Sequence, residues 1–155
     1  MRSMLAVLAS LLLAFGMAKA AAPLRLPVES VTIVTHAGPH VFKMEIAADD
    51  VSRRQGLMHR TRLAKNAGML FDFKTTVMTA FWMKDTPLPL DMLFVRSDGT
   101  ISTVAANAVP NSTAEISSAE PIRAVIEIGG GQARALGILP GDRVRARIFP
   151  GQAIH

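Results

Sequence analysis

Apolar and polar residues alternate along most of the chain after residue 29, and this two-residue period predicts short β-strands. Over 29–35 valine and isoleucine alternate with polar residues, and the alternation resumes over 40–47. The turn residues Ala37-Gly38-Pro39 stand between these segments, which predicts a β-hairpin. Further strands are predicted over 68–73, 81–84, 91–95, 100–107, 121–128 and 143–149.

Helical patterns are short and few. One helix is predicted to start at Asp49 or Asp50 and to run to about Met58, and a second spans 132–136. The polar connection over 108–120 is long for a compact domain and is expected to cover a surface. Many short strands with two brief helices favour a β-dominated α+β fold, a small open barrel of mostly antiparallel strands.

The first twenty residues have the features of a signal peptide. Arg2 supplies a positive charge, 5–15 is apolar, and Ala18-Lys19-Ala20 offers small residues for cleavage. The apolar run is well short of the ~20 residues that a spanning helix needs, so we expect export to the periplasm or medium without a stable membrane span. The predicted organisation is a signal peptide over 1–20, a leader over 21–28, one β-rich domain over 29–150 and a tail over 151–155.

Composition narrows the function classes. A chain of 155 residues is long enough for one domain with a core but not for two. Removing Arg2 and Lys19 with the signal peptide lowers the net charge from +5 to +3. The residues Arg143, Arg145 and Arg147 alternate and form one solvated face, but stacking aromatics do not accompany them, so nucleic acid is not the expected partner. Cysteine is absent, which excludes disulfides and thiolate metal sites.

Signals for known catalytic and cofactor sites are weak. No Gly-x-Ser-x-Gly motif is present. His36 and His40 flank a turn and would form half a zinc or copper site, but loop-tip polar residues explain them as well. The methionines raise the idea of a copper site, yet several lie in apolar strands where methionine fills a core. The glycines at 129–131 fail both phosphate-binding motifs. No cofactor is therefore expected.

The candidate site lies over 81–95, which contains the only tryptophan, two prolines and three charged residues among apolar ones. Pro87 and Pro89 stiffen the connection between two predicted strands. Asp91 precedes an apolar run and needs a cationic or N–H partner, because an unpaired buried carboxylate is costly. The candidate ligand-binding residues are Arg54, Arg60, Trp82, Lys84, Asp85, Thr86 and Asp91. A structural polar network is the equally open alternative, and Trp82 is either a core residue or an exposed interface anchor.

Four motifs stand together in the middle of the chain: Gly56-Leu57-Met58-x-Arg60, Gly68-Met69-Leu70-Phe71-x-Phe73, Phe81-Trp82-Met83-Lys84-x-Thr86 and Leu90-Asp91-Met92-Leu93-Phe94. The same pattern includes Glu45, Arg54, Glu127, Gly131, Gly137 and 141–144. Together these resemble the bacterial and archaeal family called domain of unknown function 192, over about residues 30–148. The resemblance implies a compact β-rich domain, often exported, without an established activity. Asp85 departs from the asparagine usual in that family.

Three functional hypotheses follow. The leading one is a periplasmic binding module without cofactor, whose partner is a small molecule or an envelope protein. The second is a cell-envelope enzyme that uses Lys84, Asp85 and Asp91. The third is a carrier of copper or zinc. An open pocket where the charged side chains converge would favour binding or chemistry, and a closed, fully paired network would favour a structural role.

Overall fold

The computed structural model describes residues 25–149. The predicted signal peptide over 1–20, the first part of the leader and the tail over 151–155 lie outside the described residues. Within residues 25–149 the strands are β1 Val28–Thr35, β2 Gly38–Ala47, β3 Ala67–Val77, β4 Ala80–Phe81, β5 Leu90–Val95, β6 Ile101–Ala108, β7 Ile116–Ser117, β8 Ile122–Gly129 and β9 Arg143–Arg145. The helices in the same range are α1 Asp50–Gln55 and α2 Gln132–Leu136. The β-dominated α+β class is confirmed.

Seven strands form one curled sheet in the order β6-β5-β8-β3-β2-β1-β9, an open half-barrel. Neighbouring strands are antiparallel except β2 and β3, which run parallel. The two edge strands meet at one end of the sheet, where Thr100 bridges to Arg143 and the Val144 N–H donates to the Gly99 carbonyl at 2.7 Å. This contact shields part of both edges from further strand pairing.

The inner face of the curled sheet carries one core. It is built from alternate residues of each strand, and α2 packs against it through Ala133. Its strand members include Val31, Ile33, Phe42, Met44, Leu70, Leu93, Val95, Ala124, Ile126, Ile128 and Val144. The alternation in the sequence therefore marks the residues that point into the half-barrel, as period-two strands require.

The outer face of the central strands carries a second core. Its strand members include Met69, Phe71, Met92, Phe94, Ile122 and Val125. Leu57 and the partly buried Phe81 cover this face from outside the seven-stranded sheet. Both faces of β3, β5 and β8 are covered, and apolar side chains accordingly occupy most positions on both faces of these strands. A polar residue on the outer face of these strands is consequently buried between the sheet and its cover.

The first helix is shorter than the sequence predicted. It is opened by a capping box, in which the Asp49 carboxylate accepts from the Ser52 N–H at 2.9 Å and the Ser52 hydroxyl accepts from the Asp49 N–H. It ends at Gly56, whose φ of 48° lies in the left-handed region. The prediction of a helix through Met58 was wrong because this glycine turns the chain away from helical geometry.

The strand predicted over 81–84 is also wrong. Only Ala80–Phe81 is a strand, and it pairs with Ile116–Ser117 in a separate two-stranded sheet rather than with β5. The connection predicted over 108–120 thus supplies a strand of its own. The last strand is three residues long instead of seven, although Arg143, Arg145 and Arg147 are all exposed as expected.

Candidate functional site

A cavity of about 450 Å³ lies between the outer face of the sheet and its cover. Helix α1 and the turn after it form one wall, β3 forms the floor, and the segment around β4 forms the opposite wall. The lining residues are Asp50, Arg53, Arg54, Gln55, Gly56, Leu57, Met58, Phe71, Phe73, Thr79, Ala80, Phe81, Trp82, Thr86 and Glu127. This volume falls within the range of small-molecule sites, roughly 300–1,000 Å³.

Aromatic rings make up much of the cavity wall. Phe81 packs edge-to-face on Phe71, with ring centroids 5.0 Å apart, and on Phe73 and Phe94 at 6.3 Å. Trp82 is 49% exposed, and the Lys84 ammonium lies 5.5 Å from the centre of its ring. The tryptophan therefore stands at the mouth of the cavity and not in either core.

The arginines of α1 have different surroundings. Arg53 donates to the Asp50 carboxylate at 2.5 Å and to the Asp72 carbonyl at 2.8 Å, and its guanidinium lies 5.6 Å from the Phe73 ring centre. Arg54 is exposed, and within residues 25–149 no carboxylate lies within ion-pair distance of it. The lining of the cavity thus contains one neutralised arginine and one free positive charge.

Glu127 is the most unusual lining residue. It sits in β8, directly between Met69 of β3 and Met92 of β5, and is only 4% exposed. Among residues 25–149 no N–H or O–H group donates a hydrogen bond to its carboxyl group, and the residue lines the cavity. Burial without a compensating donor raises the pKa of Glu127 to about 8, so the group is mostly protonated and neutral at pH 7.

Asp91 lies on the other face of the sheet. It is fully buried, and its carboxylate accepts backbone N–H bonds from Asn107 at 2.8 Å, Gly131 at 3.0 Å and Ala133 at 2.7 Å. These donors hold the glycine turn and the start of α2 against the sheet. The cations considered as its partners, Lys84, Arg54 and Arg60, are not among its contacts. A carboxylate with three N–H donors is a satisfied structural group.

The segment Lys84-Asp85-Thr86 forms a hydrogen-bonded turn. The buried Thr86 hydroxyl donates to the Lys84 carbonyl at 3.1 Å, and the Thr86 N–H donates to the Met83 carbonyl at 3.0 Å. Asp85 is exposed with a φ of 53°, and its carbonyl accepts from the His59 N–H. Asparagine and aspartate both tolerate left-handed geometry, so Asp85 suits this turn as well as the asparagine that the family resemblance implies.

Of the seven predicted site residues, Arg54, Trp82 and Thr86 line the cavity and the other four do not. Arg60 instead pairs with Glu45 at 2.7 Å. His40 Nε2 lies 3.4 Å from the Thr35 hydroxyl, and no group of three or more potential metal-ligating His, Asp or Glu side chains occurs within residues 25–149.

Sequence reasoning missed Glu127 as a site residue in its own right. A signal was present, because Glu127 is the one charged residue inside the apolar run 124–128. Glutamate is almost never fully buried unless it is paired. A charged residue in such a run is therefore as informative as the polar cluster around Asp91.

The comparisons with known proteins agree with this fold. The model of the DUF192 family, described as an uncharacterized ACR, matches residues 32–146. The crystal structure of a protein from Sinorhizobium meliloti 1021, described as a candidate transcription regulator, is 46% identical with a TM-score of 0.77, covering 80% of this chain and 97% of that one. A protein of unknown function from Novosphingobium aromaticivorans is 42% identical with a TM-score of 0.77, covering 78% of this chain and 86% of that one. No curated protein matches.

Neither helix in the described part of the chain is long and apolar enough to cross a membrane.

Proposed function

The chain belongs to the DUF192 family, and from that premise we propose that it is an exported binding module whose ligand is a small, largely apolar molecule. The ligand enters the cavity between α1, β3 and the β4 segment and hydrogen-bonds to Glu127. No cofactor is required for this role. Export is proposed from the signal-peptide pattern of the first twenty residues.

The observation that carries the proposal is the unpaired carboxyl of Glu127 in the cavity. Buried polar groups in proteins nearly always have a hydrogen-bond partner, and leaving one without costs about 1–3 kcal/mol. Glu127 accepts no hydrogen bond from residues 25–149, while it lines a cavity whose walls include the rings of Phe71 and Phe81. A ligand that brings both apolar surface and a polar group would bury the rings of Phe71 and Phe81 and complete the hydrogen bonding of Glu127.

A screen by thermal shift, with two matched variants, tests the proposal. A ligand that binds only the native state must raise the melting temperature. Ala80 is exposed and lines the cavity, so Ala80→Phe should narrow it without disturbing a core. Ala106 is also exposed, lies on β6 and does not line the cavity, so Ala106→Phe is the control for adding the same ring elsewhere. We expect the screen to find compounds that raise the melting temperature of the wild type and of Ala106→Phe but not that of Ala80→Phe. A screen without hits, or hits that bind all three proteins equally, would overturn it.

An enzyme that moves a proton is the second candidate, and the raised pKa of Glu127 is the observation that favours it. Lys84, Asp85 and Asp91, the residues first considered for catalysis, do not line the cavity. A catalytic role would therefore rest on Glu127. To separate the two functions, each compound found by the screen is incubated with the wild type and with Glu127→Gln, and the products are analysed by mass spectrometry. An enzyme converts the compound only when Glu127 is present, whereas a binding module leaves it unchanged.

The mature N-terminus tests the exported location. Cleavage after Ala20 predicts a protein that begins at Ala21. Intact-mass measurement of the protein from a periplasmic extract checks this start. A protein that retains residues 1–20 in the cytoplasmic fraction would contradict export and leave the binding proposal untouched.

A further inference from the structure

The protonated carboxyl of Glu127 sets the kind of polar group that it can bind. A neutral carboxyl presents one O–H donor and one carbonyl acceptor side by side in one plane. Its best complement is a planar group with one acceptor beside one donor, since two parallel hydrogen bonds then form at once. Primary amides and lactams have this arrangement. No described residue hydrogen-bonds to the Glu127 carboxyl, so a ligand in the cavity can supply both bonds.

The charges around the cavity disfavour a cationic ligand. The charged lining residues other than Glu127 are Asp50, Arg53 and Arg54, all from α1, and the first two neutralise each other at 2.5 Å. Arg54 remains positive, and Lys84 adds a second positive charge beside Trp82 at the mouth. An ammonium group offers donors only, so it would need the ionised form of Glu127, which burial disfavours.

A carboxylate ligand fits less well than an amide for a different reason. Arg54 would attract it, but a carboxylate offers acceptors only. It could accept the Glu127 O–H and would leave the Glu127 carbonyl oxygen facing a negative charge without a donor. One of the two oxygens of Glu127 would thus stay without a hydrogen-bond donor, which is the state that buried polar groups avoid.

From this geometry, and resting on the binding function proposed above, we infer that the ligand class is a neutral carboxamide or lactam with a compact apolar body. The amide carbonyl accepts the Glu127 O–H, and the amide N–H donates to the other Glu127 oxygen. The apolar body packs against Leu57, Phe71 and Phe81, which line the cavity together. An aromatic body would also extend the edge-to-face packing of Phe81 on Phe71.

Three probes with one apolar body test the class: 3-phenylpropanamide, 3-phenylpropanoate and 3-phenylpropylammonium. Their dissociation constants are measured by NMR titration at pH 6.5 against the full mature chain. We expect the amide to bind tightest, by about tenfold or more over either charged probe, which corresponds to about 1.4 kcal/mol. Above pH 8 amide affinity should fall by about tenfold per pH unit, because Glu127 then loses the proton that it donates.

Two variants assign the effect to Glu127. Glu127→Gln keeps a planar donor–acceptor group of nearly the same shape, so amide binding should remain within a few-fold and its pH dependence should vanish. Glu127→Leu removes both hydrogen bonds and should weaken amide binding by about tenfold or more. If Glu127→Gln kept the pH dependence, another group would be responsible and the inference would fail.

The outcomes separate this inference from the function on which it rests. If the ammonium or carboxylate probe binds tightest, the ligand class is overturned and the binding function stands. The ligand class is also overturned, and the binding function stands, if no probe binds while the thermal-shift screen finds ligands without an amide group. If no probe binds and the screen is empty, the binding function itself is overturned.

Discussion

Replacing Glu127 by glutamine should stabilise the protein increasingly as the pH rises. The pKa of Glu127 is about 8 in the folded state, against an ordinary value of 4.5. Between these values the folded protein holds a proton that the unfolded chain has released, so the free energy of unfolding falls by about 1.4 kcal/mol per pH unit. The loss from this one group is therefore about 3 kcal/mol at pH 7 and at most about 5 kcal/mol above pH 8. Glutamine does not ionise and is free of this loss.

The assay is urea denaturation of wild type and Glu127→Gln at pH 5, 6, 7 and 8. The difference in unfolding free energy should be below about 1 kcal/mol at pH 5 and should reach about 4 kcal/mol at pH 8. Glu115→Gln, at an exposed position, controls for the loss of one carboxylate from the surface. A Glu127→Gln difference that stays constant from pH 5 to pH 8 would refute the reasoning, because it would show that Glu127 ionises as freely in the folded chain as in the unfolded one.

Three further substitutions probe the other side chains. Asp91→Asn should lower the free energy of unfolding, measured by urea denaturation, by about 1–3 kcal/mol, because the amide cannot accept from the Ala133 N–H while keeping the other two hydrogen bonds. Ligands in the cavity should bind to this variant as they bind to the wild type. Burial would raise the pKa of Asp72, but hydrogen bonds from Arg123 and Lys74 outweigh it and hold that pKa below its usual range. Asp72→Asn should therefore cost about 1–3 kcal/mol at pH 7, and the difference should shrink as acid titration below pH 4 protonates Asp72. Trp82→Ala should lower the free energy of unfolding, measured by thermal denaturation, by less than about 2 kcal/mol, because half of the side chain is exposed. The same change should weaken the binding of ligands in the cavity.

Much of the fold could be predicted because alternation reports directly on strands. The hairpin of β1 and β2 occurs with His36 and Ala37 at the turn, and Gly38, whose φ of 121° favours glycine, begins β2 directly after it. Strands β5, β6 and β8 lie within a residue or two of their predicted bounds. The error around Phe81-Trp82 has a physical cause. The apolar run there does not alternate, so the pattern could not reveal that Phe81 covers the outer face while Trp82 faces solvent.

The site was harder to predict because it depends on which face of a strand each carboxylate occupies. Asp91 and Glu127 both interrupt apolar runs on neighbouring strands, and the register pairs Met92 with Glu127, so Asp91 is displaced by one residue onto the opposite face. On the inner face Asp91 meets the N–H group of Ala133, which is 42 residues away in sequence. On the outer face Glu127 lies between Met69 and Met92 and lines the cavity. Two acidic residues that look alike in the sequence thus become a hydrogen-bonded structural anchor and a neutral carboxyl that lines the cavity. Donors that come from distant backbone decide between these roles, and side-chain periodicity does not encode such donors.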